Sequence, residues 1–338
     1  MSVKHFIDTQ DFTKEEILDI IETTRLIKEA DKQGCTPQLL KGASLAMIFE
    51  EPSTRTRVSF EVAMSELGGH ALYLKPGEIH LGVRESIGDT AQVLSRMCDV
   101  IMIRALLHKT VTDFASYATV PVLNGLTDFN HPTQVICDVF TMMEHMPAGK
   151  QLSDLNVTFV GDATNVLSSL MFICTQLGMN FTHAAPKKYQ APAAWMKIAE
   201  DNCKASGGSV TLTEDPVAAV KKADFIYTDL WWWVGQEAEI PERSAAFMPT
   251  YQVSTDLLKK APVSCKLMHC LPASRGVEAT DEALDSPQSI IFDQAENRLH
   301  AEKGLLVYFV SQHLKRPTQA LQDFHRGKIE SFIESLAR

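Results

Sequence analysis

The chain has 338 residues, 45% of them hydrophobic and 22% charged, with a formal net charge of −10. That length accommodates two domains with separate cores, and the composition is that of a soluble globular protein. No apolar run approaches the roughly 18 to 20 residues a membrane helix needs, and no basic tract is present to displace the counterions of a nucleic acid. The start, Met1-Ser2-Val3-Lys4-His5-Phe6, lacks a signal-peptide apolar core. A cytoplasmic location is therefore expected, with neither membrane nor nucleic acid as partner. The seven cysteines are odd in number and contain no Cys-x-x-Cys pair, against a disulfide framework or structural zinc. No metal and no cofactor is expected.

Short apolar runs alternate with helical patterns along the chain, the mark of an α/β protein with mainly parallel sheets. Thr13 and Glu16 form a capping box for a helix carrying Ile17, Ile20, Ile21, Thr24 and Ile27, which ends near Gly34. Strands are predicted over 45–49, 70–74, 100–103 and 120–124, with helices over 54–67, 87–97, 111–118 and 132–145. Met146-Pro147-Ala148-Gly149-Lys150 reads as a linker. The second half repeats the alternation, with strands over 157–160, 181–184, 210–212, 225–228, 266–269 and 290–292. A long helix over 294–314 follows, and after Pro317 a last amphipathic one. The expected organisation is two domains, 1–147 and 148–293, each a parallel sheet flanked by helices. The helix of 294–315 packs back on the first, and 316–338 is an extra C-terminal helix.

In open α/β sheets ligands bind beyond the carboxyl ends of strands. Polar clusters stand at six such ends: 53–57, Arg104, 128–134, 161–165, 229–237 and 269–275. Ser53-Thr54-Arg55-Thr56-Arg57 is the most telling. Backbone N–H groups of a first helical turn, hydroxyls and a guanidinium around one point make an anion site; the alternative is an ordinary N-cap with solvated arginines. Arg104 ends a strand as a lone cation. Pro132 suits a first helical position and puts His131 and Gln134 one turn apart, where they can bond the carbonyl and amide of one ligand. Gly161-Asp162-Ala163-Thr164-Asn165-Val166 is like a dinucleotide turn but lacks its glycines, so a nucleotide fold without a nucleotide is expected. Cys270 has no evident base, and a buried structural thiol is the commoner case.

These motifs resemble, in order and over nearly the whole chain, those of the aspartate/ornithine carbamoyltransferase family, ornithine/putrescine type. They are Phe49-Glu50-Glu51-Pro52-Ser53-Thr54-Arg55-Thr56-Arg57, Asp128-Phe129-Asn130-His131-Pro132-Thr133-Gln134, Gly161-Asp162-Ala163-Thr164-Asn165, His269-Cys270-Leu271-Pro272 and Glu296-Asn297-Arg298-Leu299. The resemblance implies that Ser53, Thr54, Arg55, Thr56 and Arg104 bind the phosphate of carbamoyl phosphate. His131, Gln134, Cys270, Leu271 and Arg298 would hold and polarise the carbamoyl group. It also implies a homotrimer with active sites between subunits. At the position where relatives reach a neighbour's phosphate with Gln, this chain has His80.

The acceptor amine would meet Asn165, Asp229, Trp233, Val234, Glu237, His269, Cys270, Leu271 and Pro272. Ornithine enzymes carry Ser-Met-Gly where this chain has Trp233-Val234-Gly235. Loss of the hydroxyl and gain of an indole disfavour an amino-acid carboxylate and suit a diamine, whose distal ammonium can meet Asp229, Glu237 and an indole face. Putrescine is the expected acceptor and ornithine the runner-up, with a catalytically silent assembly subunit as the non-enzyme alternative.

Overall fold

A computed structural model describes residues 3–79, 85–232, 235–314 and 317–336. Helix α1 (Lys14–Lys32) begins with the expected capping box: Thr13 Oγ1 accepts from Glu16 N, and the Glu16 carboxylate from Thr13 N. Next come β1 (Ser44–Phe49), α2 (Thr54–Glu66), β2 (His70–Leu74), α3 (Ile87–Leu94), β3 (Val100–Arg104), α4 (His108–Tyr117), β4 (Val122–Leu126) and α5 (Pro132–Glu144). The second half runs β5 (Asn156–Val160), α6 (Asn165–Gln176), β6 (Asn180–Ala184), α7 (Ala193–Ser206), β7 (Ser209–Thr213), α8 (Pro216–Val220) and β8 (Phe225–Thr228). It continues α9 (Ile240–Phe247), α10 (Thr255–Leu258), β9 (Lys266–His269), α11 (Asp281–Leu284), α12 (Ile291–Val310) and α13 (Gln319–Leu336).

Both sheets are parallel, in the orders β2-β1-β3-β4 and β7-β6-β5-β8-β9. Their central strands are buried on both faces, which is why they read as continuous apolar runs. Helices α5 and α6 are buried over nearly their whole lengths and share one core with Met47 and Met102 of the first sheet and Phe159 and Phe181 of the second. Helix α12 packs on α1, α2 and α5. Helix α13 is exposed along its described length. No described helix is long and apolar enough to cross a membrane.

Two predicted strands differ. The one expected over 120–124 lies at Val122–Leu126, because Pro121 has no N–H to give a ladder and supplies only its carbonyl, to Ile101 N. The run 290–292 is not a strand. Residues 288–290 exchange two backbone hydrogen bonds with Leu267, and the chain then turns into α12, leaving Phe292 66% exposed. A three-residue apolar run does not distinguish a strand from the first turn of a buried helix.

Candidate active site

Six strand ends and α12 enclose one cleft. Ser53, Arg55 and Thr56 enter it from the start of α2, Arg104 from the end of β3, His131 and Gln134 from the start of α5, and Arg298 from α12. Ser53 occupies the N-cap of α2, yet its hydroxyl makes no capping bond and the first turn carries no acid, so the helix end stays positive. Neither Arg55 nor Arg104 makes an ion pair among the described residues. Burial lowers the pKa of Arg55; burial, then Arg298 and Arg55, bring that of Arg104 down to about 10. Three crowded guanidinium groups in a half-buried pocket are arranged for a multiply charged anion.

Arg57 and Thr54 go elsewhere. Arg57 is exposed, 3.3 Å from Glu61 and 3.9 Å over the Tyr73 ring, so the solvated-arginine reading holds for it. Thr54 lines a neighbouring groove with Pro52, Val58 and Tyr73, which meets the cleft at Ser53.

His131 sits at the N-cap of α5 without capping it, and Ser169 Oγ accepts from its backbone N at 2.8 Å. Burial, then Arg298, Arg104 and Arg55, hold the imidazole well below its usual pKa, so it is a neutral ring with one N–H to donate. Gln134 is fixed at both ends: Nε2 donates to Asp138 at 2.8 Å, and Oε1 accepts from Arg298 Nη1, also at 2.8 Å. Burial works against the charge on Arg298, but Glu302, bonded to its Nε and Nη2, outweighs it.

Cys270, Leu271 and Pro272 form the opposite wall. The Cys270 thiol donates to Asp229 Oδ1 at 3.2 Å; burial and that carboxylate push it well above its ordinary pKa, which is a poor state for a nucleophile. Leu271 is the one non-glycine residue with positive φ (57°) among those described, held by its N–H donating to His269 Nδ1 at 2.9 Å. Left-handed backbone at a branched residue is strained, and it sits where the cleft needs its wall.

At the far end Asp229, Leu230 and Trp232 close the cleft with Thr164, Asn165 and Val166. Asp229 Oδ2 accepts from Thr164 Oγ1 at 3.0 Å, so the threonine that replaces a dinucleotide-turn glycine braces a carboxylate. Gly161, at φ 143°, lets β5 turn sharply there; an added Cβ would lie 3.5 Å from Trp231 Nε1. Asn165 donates to Thr127 O at 2.6 Å, while its Oδ1 has no partner and borders the cleft.

Two carbamoyltransferase models cover most of the chain. The aspartate/ornithine carbamoyltransferase carbamoyl-P binding domain matches residues 4–144, and the Asp/Orn binding domain of the same family matches 153–309. The chain belongs to the aspartate/ornithine carbamoyltransferase family. It is 60% identical to a putrescine carbamoyltransferase of Mycoplasma capricolum over 98% of this chain and 93% of that one. It is 52% identical to an anabolic ornithine carbamoyltransferase of Pyrococcus furiosus over 88% of this chain and 93% of that one. The solved ornithine carbamoyltransferase of P. furiosus superposes with a TM-score of 0.88 at 50% identity, over 93% of this chain and 99% of that one.

Among the residues the family resemblance assigns to the site, the cleft gathers Ser53, Arg55, Thr56, Arg104, His131, Gln134, Asn165, Asp229, Cys270, Leu271, Pro272 and Arg298. It does not gather His269, which is buried behind the wall with Nε2 3.1 Å from Glu278. Nor does it gather Glu237, an exposed residue in a single 3-10 turn that accepts from Gly235 N. His80, Trp233 and Val234 lie outside the described residues. Five lining residues carry no site signal in the sequence: Leu126 at the end of β4, Thr164, legible only as an N-cap, Val166 beside it, and Leu230 and Trp232, on a loop whose pattern does not say which tryptophan faces inward. Trp231 is a core residue, fully buried and stacked on Phe247 at 5.0 Å, and Trp232 packs on the same core from the cleft side.

Asp229, His269 and Cys270 bring ligand atoms within 4.8 Å of one another. All three are already engaged, the thiol on Asp229 and the imidazole on Glu278 and Leu271 N, so they read as a hydrogen-bonded brace for the wall.

Proposed function

We propose that the chain transfers a carbamoyl group between carbamoyl phosphate and putrescine, giving N-carbamoylputrescine and phosphate. The carrying observation is the triad of Arg55, Arg104 and Arg298 converging beside a neutral His131. Ser53, Thr56 and the first turn of α2, with Arg55 and Arg104, receive the phosphate, Thr54 contributing its backbone N–H. Gln134, Leu271 and Arg298 orient the carbamoyl group. The neutral amine attacks the carbonyl carbon; the pair of electrons moves to oxygen, and Arg55 and the His131 N–H stabilise the oxyanion. The intermediate then collapses with cleavage of the carbon–oxygen bond to phosphate, whose charge Arg104 meets, and the proton of the attacking nitrogen leaves on the departing phosphate. This is preorganised electrostatic catalysis. The raised thiol pKa of Cys270 supports direct transfer over an acyl-enzyme. Run backwards, the same steps are phosphorolysis of the carbamoylated amine.

Putrescine is favoured by Trp232 and Asp229 at the acceptor end and by Trp233-Val234-Gly235 in place of Ser-Met-Gly. The alignment with the M. capricolum putrescine enzyme also spans 98% of the chain and so reaches into α13, whereas that with the P. furiosus ornithine enzyme spans 88%. Residues 1–147 with the helix of 294–315 form the donor domain in this reading, 148–293 the acceptor domain and 316–338 the C-terminal helix. The working unit is a cytoplasmic homotrimer in which His80 reaches a neighbour's phosphate. The deciding measurement is the carbamoylation rate with carbamoyl phosphate and putrescine, ornithine or neighbouring diamines. Preference for ornithine by a large factor would overturn the acceptor, and activity with none of them the enzymatic reading.

A further inference from the structure

Behind the cleft lies a carboxylate that the chemistry above does not use. Asp138 stands one helical turn after Gln134 on α5, is fully buried and does not line the cleft. Three donors from three elements converge on it: Gln134 Nε2 at 2.8 Å, Gln294 Nε2 at 2.7 Å and the Tyr227 hydroxyl at 3.0 Å. Burial pushes its pKa up to about 6, with the three hydrogen bonds pulling the other way.

Each glutamine carries the influence of this carboxylate in a different direction. An amide side chain has a donor end and an acceptor end, so whatever fixes one end fixes the other. With Nε2 held by Asp138, Gln134 turns Oε1 to Arg298 Nη1. The reversed amide would set NH₂ against a guanidinium and a carbonyl against a carboxylate. Gln294 likewise turns Oε1 to the backbone N of His269, at 2.9 Å. The His269 ring in turn accepts from Leu271 N, at the strained corner of the wall. One buried group therefore orients the amide on the α5 side and anchors the start of the 269–272 turn on the β9 side.

We propose that Asp138 is a positioning residue for the carbamoyl group, holding Gln134 and the His269–Pro272 turn in mutual register. The proposal rests on the carbamoyl phosphate reading above. Inorganic phosphate provides the internal control, since in that reading it engages the α2 and Arg104 end and touches neither Gln134 nor the 269–272 turn.

The test uses Asp138→Asn in the full chain, with steady-state constants for carbamoyl phosphate and putrescine and the inhibition constant of inorganic phosphate. KM for carbamoyl phosphate is expected to rise about tenfold or more and kcat to fall, because small misplacements near the reacting centre are expensive in rate. Inhibition by phosphate should stay within about twofold of wild type. Equal weakening of both ligands, or of neither, would make Asp138 a buried strut only and overturn the proposal. Gln294→Met cuts the branch to His269 alone and carries the same test if the Asn variant does not fold. Tyr227→Phe loses the hydroxyl's bonds to Asp138 and Gln294 Nε2 but keeps the ring stacked on Phe159 and both glutamine bonds to Asp138, and should leave the carbamoyl phosphate constants near wild type. A wild-type protein that turns over no amine sinks the function proposed above, a failure visible before any variant is made.

Discussion

The two ends of the cleft are built differently. At the donor end every cationic group stands on a strand end, a first helical turn or a long helix, and Arg298 is tied to Glu302, Gln134 and Thr56. At the acceptor end the lining comes from a loop after β8, where Leu230 and Trp232 follow a single braced carboxylate. A charge-dense substrate needs positions fixed in advance, since electrostatic catalysis loses its advantage when dipoles must reorganise. An amine needs mainly a shaped wall, and a loop provides that while leaving room for change of substrate.

The largest effect that would break this contrast is at Arg104. Arg104→Gln should lower kcat/KM by about 10²–10³ or more, without lowering the melting temperature, because it relieves the repulsion and burial that bring its pKa down to about 10. Retention of activity within about tenfold would remove the donor end from the mechanism.

Next in size is pH. The folded-state pKa of His131 lies well below 6.5, so acidifying from pH 8 to 6 leaves the ring neutral, and a rise in KM for carbamoyl phosphate over that range is expected from the buried carboxylates of Asp138 and Glu302, which titrate at about 6 and about 7. The attacking amine, with a pKa near ~10, must be neutral, so kcat/KM for the amine should climb about tenfold per pH unit between 7 and 9. An imidazole resonance of His131 that titrates near pH 6.5 would contradict the neutral-ring assignment.

Trp232→Ala tests the acceptor wall. A desolvated cation–π contact is worth up to about 2 kcal/mol, so KM for putrescine should rise up to about thirtyfold while that for carbamoyl phosphate barely moves. Equal changes in both would mean that the two ends are not separable. Smallest is Glu237→Gln, expected within about twofold of wild type in all constants, since the side chain is exposed and off the cleft. A marked loss for the amine alone would show that the loop folds inward during turnover.

The same contrast explains what could be read from the residues. Arg55, Arg104, His131 and Gln134 were legible because strand runs and helix starts leave patterns, and the strand-end rule then points their side chains to one place. The capping box of α1 and both parallel sheets followed from the same local signals. What escaped lacks such signals. His269 looked like a ligand because it begins the His-Cys-Leu-Pro motif, yet it is the last residue of β9 and turns away from the cleft. Among Trp231, Trp232 and Trp233 no period separates core from wall. The start of α12 reads as strand in the sequence because Ile290 and Ile291 are buried in either geometry.

Leu271 carries opposite demands in one residue. Its left-handed backbone costs about 1–2 kcal/mol, while its side chain packs on the core of the second sheet, where full burial of a leucine contributes about 1.5–3 kcal/mol. Glycine would release the strain and lose the packing together, so a library screened for survival on heating should keep a side chain at this corner.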